Sequence, residues 1–218
     1  MQKKFKVTFL LDKSNMWFAK QLKSYDFKLK KKFIFKISKN VNKVKNQNIV
    51  FPLSYTKILP ESFLQKNELV LITHTSKLPH DKGFASLQNQ VLRNKKKCYI
   101  SLMKAVKEVD AGPIYYQDSF MMDGTELLVE IRYIQGLQIL KIIHKFLINY
   151  PNVKSKKQSN TIKGNFNKRR HPKDSELNIN KTIKQQINYL RINDNKHYPS
   201  FFYFKNKKYI IHIFKDKK

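Results

Sequence analysis

Short apolar runs alternate with amphipathic stretches from Phe5 to Tyr150, and this alternation restricts the fold more than any other feature. Phe5–Leu11 reads as a buried first strand. Asp12-Lys13-Ser14-Asn15 then leads into a helix from Met16 to about Leu22, with Ser14 or Asn15 as its N-cap. Phe33–Ile37 and Ile49–Leu53 read as further strands, and Pro60 opens a short helix through Leu64. Leu69–Thr73 is a continuous apolar run, as expected of a strand buried in a parallel sheet. Phe84–Leu92 fits a helix. Tyr99–Met103 and Ile114–Phe120 fit strands around a loop that contains Asp110-Ala111-Gly112-Pro113. The clearest helix carries Leu127, Ile131, Ile134, Leu137, Leu140, Ile143 and Leu147 at three- and four-residue spacing, and Tyr150-Pro151 ends it. The sum is an open, mainly parallel α/β sheet.

Beyond Pro151 the pattern changes. Residues 152–172 are polar, basic and aperiodic, and read as a linker or exposed loop. A short helix is expected around Thr182–Arg191. Phe201–Phe204 and Tyr209–Phe214, flanking Lys205-Asn206-Lys207-Lys208, read as a terminal β-hairpin. The expected division is a main domain over 1–151 and an appendage of basic linker, helix and hairpin over 152–218.

Net charge is +30, carried as +12 over residues 1–47, +4 over 48–150 and +14 over 151–218. A continuous basic face would suit nucleic acid. Heavy use of Lys, Asn, Ile, Phe and Tyr, all with AT-rich codons, accounts for the same charge by composition alone. A general attraction for anionic substrates is a third reading. No apolar run approaches the ~18 residues of a membrane span, and Val7–Leu11 is too short for a secretory signal. Cys98 is the only cysteine, which excludes a disulfide framework and a cysteine zinc site. A cytoplasmic location is the default expectation.

In open α/β sheets ligands bind beyond the carboxyl ends of the strands. That rule selects the loops Asp12–Asn15, Ser54–Leu59 and His74–Gly83. Neither a glycine-rich dinucleotide fingerprint nor a Walker-type phosphate loop is present, so nicotinamide chemistry and ATP hydrolysis have no support. His74 follows an apolar strand directly, where an imidazole can exchange protons near neutral pH. Asp110 follows 36 positions later and could orient that ring or take up a proton. Taken alone, one His and one Asp fit a structural role more often than a catalytic one.

The wording around them says more. His74-Thr75-Ser76-Lys77-Leu78-Pro79 with Lys82-Gly83, then Val109-Asp110-Ala111-Gly112-Pro113-Ile114, resembles the signature of the folate-dependent formyltransferases. Phe9-Leu10-Leu11-Asp12-Lys13-Ser14-Asn15, Lys57-Ile58-Leu59-Pro60, Asp123-Gly124-Thr125-Glu126-Leu127, the run Arg169 to Leu177 and Tyr198-Pro199-Ser200-Phe201-Phe202 are similar to a subgroup that modifies amino sugars. The resemblance implies a Rossmann-like formyltransferase sheet with a small C-terminal helix and hairpin. It implies 10-formyltetrahydrofolate as formyl donor, no metal, and the primary amine of a nucleotide-linked amino sugar as acceptor. His74 and Asp110 would be catalytic, with His74 stabilising the oxyanion or accepting a proton, and Ser76 and Gly112 supporting them. Gly112 would let backbone approach the reacting centre. Tyr55, Lys57, Ile58 and Leu59, with Val106, Glu108 and Val109, would line the folate pocket. Ser14, Asn15 and Lys82 would contact the acceptor; simple helix capping explains Ser14 and Asn15 equally well.

One departure stands out. The family's usual asparagine, an oxyanion donor, is here Ile72; loss of such a donor typically costs about 10²–10³ in rate. A backbone N–H or Asn67 would have to replace it. Thr75 and Ser86 also stand where the family often has proline. The alternatives are therefore a methionyl-tRNA formyltransferase-like enzyme, or a catalytically silent homologue that binds nucleic acid or protein through its basic ends. Nucleic acid is the less expected partner. The apolar tail hairpin would allow a homodimer.

Overall fold

The structure, a computed structural model, describes residues 4–12, 16–159 and 164–216. Its centre is a six-stranded sheet in the order β2-β1-β3-β4-β6-β7. The strands are β1 (Phe5–Leu11), β2 (Phe33–Ser38), β3 (Ile49–Leu53), β4 (Leu69–His74), β6 (Lys97–Lys104) and β7 (Ile114–Met121). The first four are parallel. β6 and β7 turn antiparallel, so the sheet is mainly parallel, as its sequence pattern implies.

Helices cover both faces, which is why the strands read as nearly unbroken apolar runs. Val7, Phe9 and Leu11 of β1 point to one face, against Phe18, Leu22 and the long helix α4 (Leu128–Asn149). Leu10, Val50 and Val70 point to the other, against Phe63 of α2 (Glu61–Gln65). The period of two along each strand sorts these side chains between two cores. The buried face of α4 is wider than its periodic stripe suggests. It adds Ile139, Ile142 and Phe146, because the helix packs on the sheet core and, through Ile131, on a second cluster with α3 (Ser86–Leu92).

The first helix differs from expectation. α1 spans Ala19–Ser24 with Phe18 at its N-cap, so neither Ser14 nor Asn15 caps it; both lie outside the described residues. Met16 accepts a hydrogen bond from Ala19 N, and burial of Phe18 in the core delays the helix by one turn. The tail hairpin is also tighter than expected. β9 (Ser200–Phe204) and β10 (Lys207–Ile211) are joined by Lys205 and Asn206, both left-handed, at φ 46° and 59°. Such a two-residue turn matches the twist of the strands and draws Lys207 and Lys208 into pairing.

The segment read as a linker is tied in at several places. Lys156 bridges Ile114 of β7, and β8 (Phe166–Asn167) pairs with β5 (Lys82–Gly83). These contacts use backbone and amide groups, which carry no apolar period. Helix α5 (Ile183–Ile192) is capped by Thr182. Its Arg191, buried, donates to the carbonyl and carboxylate of buried Glu126. No helix among the described residues is long and apolar enough to cross a membrane.

Candidate functional site

His74 ends β4 and is buried. Its Nε2 lies 2.7 Å from the carbonyl of Asp81. A carbonyl only accepts, so Nε2 carries a hydrogen, and Nδ1 is the nitrogen that faces Asp110, 3.5 Å from Oδ2. Both side chains are more than nine-tenths buried, which strengthens any charge interaction between them. Asp110 reaches this position through a left-handed backbone, φ 54°, a conformation that Asp tolerates better than most residues. The same carboxylate accepts from Gly83 N at 2.8 Å, joining the His74–Gly83 and 106–112 loops.

Around this pair lies a cavity of about 350 Å³. Tyr55, Lys57, Ile58 and Leu59 line it from the loop after β3, and Val106, Glu108 and Val109 from the loop after β6. Ile72, His74, Asp110, Gly112, Phe84 and Phe166 complete the wall around the reactive pair. Burial and the nearby Asp12 charge push the Tyr55 phenol above its ordinary range. A Cβ on Gly112 would sit 1.7 Å from the Lys104 carbonyl of β6. Its lack of a side chain closes the 105–112 loop onto the sheet.

The remaining sequence-selected residues separate. Ser76 is fully buried outside the lining; its hydroxyl donates to the His80 carbonyl and shapes the turn that carries Asp81. Lys82 sits in β5, with its backbone N–H on Asn165 O. Asn67 cannot take over from the missing asparagine. It lies before β4, at the end away from His74, and its amide is committed to Val44 O, Phe63 O and Gln47 N. Ile72 projects no donor into the cavity it lines. Thr75 is buried, its Oγ1 accepting from Gln135 and its carbonyl from Gln90.

Sequence reasoning missed Gln158 and Phe166. The Gln158 amide donates to both Asp110 O and Gly112 O, at 2.9 and 2.8 Å, and so fixes the loop that carries the carboxylate. Its only sequence signal was a lone glutamine in a basic, aperiodic stretch. Also missed was a second cleft, of about 340 Å³, which meets the first cavity at Thr56 and Phe84. Arg132, Arg169, Arg170, His171, Asp194 and Tyr198 are among its lining residues. Arg169 stands at the junction, stacked 4.6 Å from the Phe84 ring centre and donating to Thr56 O. Arg170 donates to Asp174 O and Asn193, and burial lowers its pKa below the ordinary guanidinium value. Among the described residues, the hydrogen bonds of Arg132, Arg169 and Arg170 use only part of each guanidinium's five N–H groups.

Residues 4–132 match the family model described as formyl transferase. A methionyl-tRNA formyltransferase from Buchnera aphidicola is 27% identical over 140 residues, 62% of this chain and 44% of that protein. The chain spans less than half the length of the curated relatives it matches. Among solved structures, a methionyl-tRNA formyltransferase from Clostridium thermocellum superposes with a TM-score of 0.79 at 20% identity, over 98% of this chain and 94% of that one. A sugar N-formyltransferase from a Shewanella species gives 0.69 at 17% identity, over 98% and 99%.

Proposed function

The chain belongs to the formyl transferase family, and from that premise we propose that it moves a formyl group from 10-formyltetrahydrofolate to the primary amine of a nucleotide-linked amino sugar. The observation that carries the proposal is the buried His74–Asp110 pair, set in a cavity that opens into an arginine-lined cleft. A flat pterin suits the first cavity, whose walls include Ile72, Met103 and Val106 and the backbone of the 105–110 loop. The arginine cleft suits an acceptor that carries phosphate, since guanidinium groups pair with phosphate oxygens in a fixed fork.

In the reaction the amine nitrogen attacks the formyl carbon, and the carbonyl electrons move to oxygen. A proton leaves the amine nitrogen. His74 takes that proton at Nδ1, the nitrogen facing Asp110, and returns it to N10 as the carbonyl re-forms, the carbon–N10 bond breaks and tetrahydrofolate departs. Proton exchange suits His74 better than oxyanion stabilisation, because Nε2 is held by the Asp81 carbonyl. With Ile72 in the wall, the oxyanion depends on backbone N–H groups.

A second reading has its own support. The Clostridium thermocellum methionyl-tRNA formyltransferase is matched over nearly its whole chain, and the +14 charge after residue 150 suits a tRNA acceptor. Tetrahydrofolate release, followed with a panel of nucleotide-linked amino sugars and with methionyl-tRNA, separates the two. Turnover with a nucleotide sugar supports the first reading, and turnover with methionyl-tRNA alone replaces it with the second. A folded protein that turns over neither is a silent homologue.

A further inference from the structure

His74 lies between two groups that can only accept a hydrogen bond, the Asp81 carbonyl at Nε2 and the Asp110 carboxylate at Nδ1. A neutral imidazole has one hydrogen to give, so the two compete for it. At equal distance a carboxylate is the stronger acceptor. The structure offsets that advantage by distance: the carbonyl stands at 2.7 Å and the carboxylate oxygen at 3.5 Å. The same oxygen already accepts from Gly83 N. The tautomer with a bare Nδ1 therefore depends on how firmly the Asp81 carbonyl is held.

Asp81 is held from two sides. Its backbone is left-handed, φ 57°, which Asp and Asn adopt more readily than Ala. Asn165 spends both ends of its amide on it: Asp81 N donates to Asn165 Oδ1 at 2.8 Å, and Asn165 Nδ2 donates to Asp81 Oδ1 at 2.7 Å. Arg93, just past α3, donates to the same carboxylate oxygen at 2.6 Å. Asn165 is carried in turn by the pairing of β5 with β8, where Lys82 N donates to Asn165 O and Phe84 N to Asn167 O. A Cβ on neighbouring Gly164 would sit 1.8 Å from the Pro79 carbonyl, so this segment lies directly on the His74–Gly83 loop. Asp81, Arg93 and Asn165 are all outside the lining of the cavity beside His74.

Resting on the reading of His74 as the proton acceptor, we propose that Asn165 and the Asp81 side chain are positioning residues. They fix the Asp81 carbonyl on Nε2 and so keep Nδ1 bare for the amine proton. Arg93 adds less, because its guanidinium is exposed and exposed ion pairs are weak. Without Asn165 the carbonyl is freer, and the hydrogen moves to Nδ1, toward Asp110. A ring in that tautomer cannot take a proton at Nδ1. Loss of this constraint is expected to lower kcat about tenfold.

The test is NMR of the histidine ring nitrogens in the isotopically labelled full chain, at about pH 9, where an ordinary imidazole is neutral. The signals of His74 are those lost in His74→Ala. Bare and hydrogen-bearing ring nitrogens resonate far apart, so the spectrum reads the tautomer without any ligand. In the parent chain Nε2 is expected to carry the hydrogen, and in Asn165→Ala a population with the hydrogen on Nδ1 appears. In the same variant kcat falls about tenfold while the donor KM stays within about twofold. Asp81→Ala behaves alike, whereas Asp81→Asn, which keeps the left-handed preference and an acceptor for Asn165 Nδ2, retains the parent tautomer and most of kcat. An unchanged tautomer in Asn165→Ala would overturn the inference. So would a loss confined to the donor KM, which would make the 164–167 segment a wall of the cavity only. A shifted tautomer with unchanged kcat would instead remove His74 as the proton acceptor, which separates failure of that reading from failure of this one.

Discussion

The cavity beside His74 and the arginine cleft meet at Phe84 but are assembled in different ways. The first is built mainly from two stretches, roughly 52–74 and 103–112, that leave neighbouring strands of the sheet, with Gly83, Phe84 and Phe166 added at the rim. The second gathers Thr56, Arg132, Arg169 and Asn193 from four separate parts of the chain. A sheet fixes the ends of its strands through apolar burial, so the first cavity inherits its shape from the core. The cleft is held by polar contacts: Arg132 to Asp194 at 2.9 Å, Arg170 to Asn193, Arg191 to Glu126. On the function proposed above, the difference would separate chemistry, placed by the core, from acceptor choice, placed by a polar periphery.

If that division is right, substitutions in the two regions fail differently. Asp110→Asn keeps an acceptor for Gly83 N but removes the charge facing His74. Its kcat is expected to fall by about 10³- to 10⁴-fold, with donor affinity and melting temperature nearly unchanged. A comparable loss of donor affinity would break the comparison. Glu126→Gln acts on the other side. It leaves Arg191 buried without its carboxylate, at a cost of about 3–4 kcal/mol, read as a fall in the denaturant midpoint. We propose that residues 152–218 fold as one unit with the main domain. A single cooperative transition in this variant supports that, and a separate early transition of the C-terminal part contradicts it.

Gln158→Ala sharpens the boundary. It leaves the Asp110 and Gly112 carbonyls without their donor, worth about 1–2 kcal/mol. The expected signature is a drop in kcat larger than the change in donor affinity, partly restored by Gln158→Asn. The smallest effect concerns acid. Burial alone would raise the Asp194 carboxyl, but hydrogen bonds from Lys196 N, Arg132 and His197 N outweigh it and hold the pKa below the ordinary carboxylate value. A depressed carboxylate stabilises the fold above its unfolded pKa, about 3.9, and loses that contribution as pH falls through the folded value. The stability difference between the parent chain and Asp194→Asn should therefore be full well above about pH 3.9 and shrink as pH falls below it, which denaturant midpoints of the two proteins at stepped pH would check.

How much of this was legible follows the same line. β1 and β3 appeared in the sequence with their observed bounds, and β4 within one residue, because burial on both faces leaves an apolar run with sharp ends. His74 and Asp110 stood out because each lies at such an end or in the loop after one. Gln158, Phe166 and Arg132 did not, since a side chain recruited across the fold by polar contacts leaves no period in the sequence. α1 began later than expected because burial of Phe18, a tertiary effect, overrode capping preference. Asn67 shows the converse: a plausible side chain near a motif, spent on holding the far end of the strand.

The central claim is that His74 carries the chemistry of formyl transfer, and His74→Ala addresses it most directly when turnover and donor binding are measured on the same protein. The account predicts a fall in kcat of at least about 10³-fold with the dissociation constant for the donor within a few-fold of the parent chain. Turnover that survives the substitution would contradict it, and would move the reaction away from the pair at the end of β4.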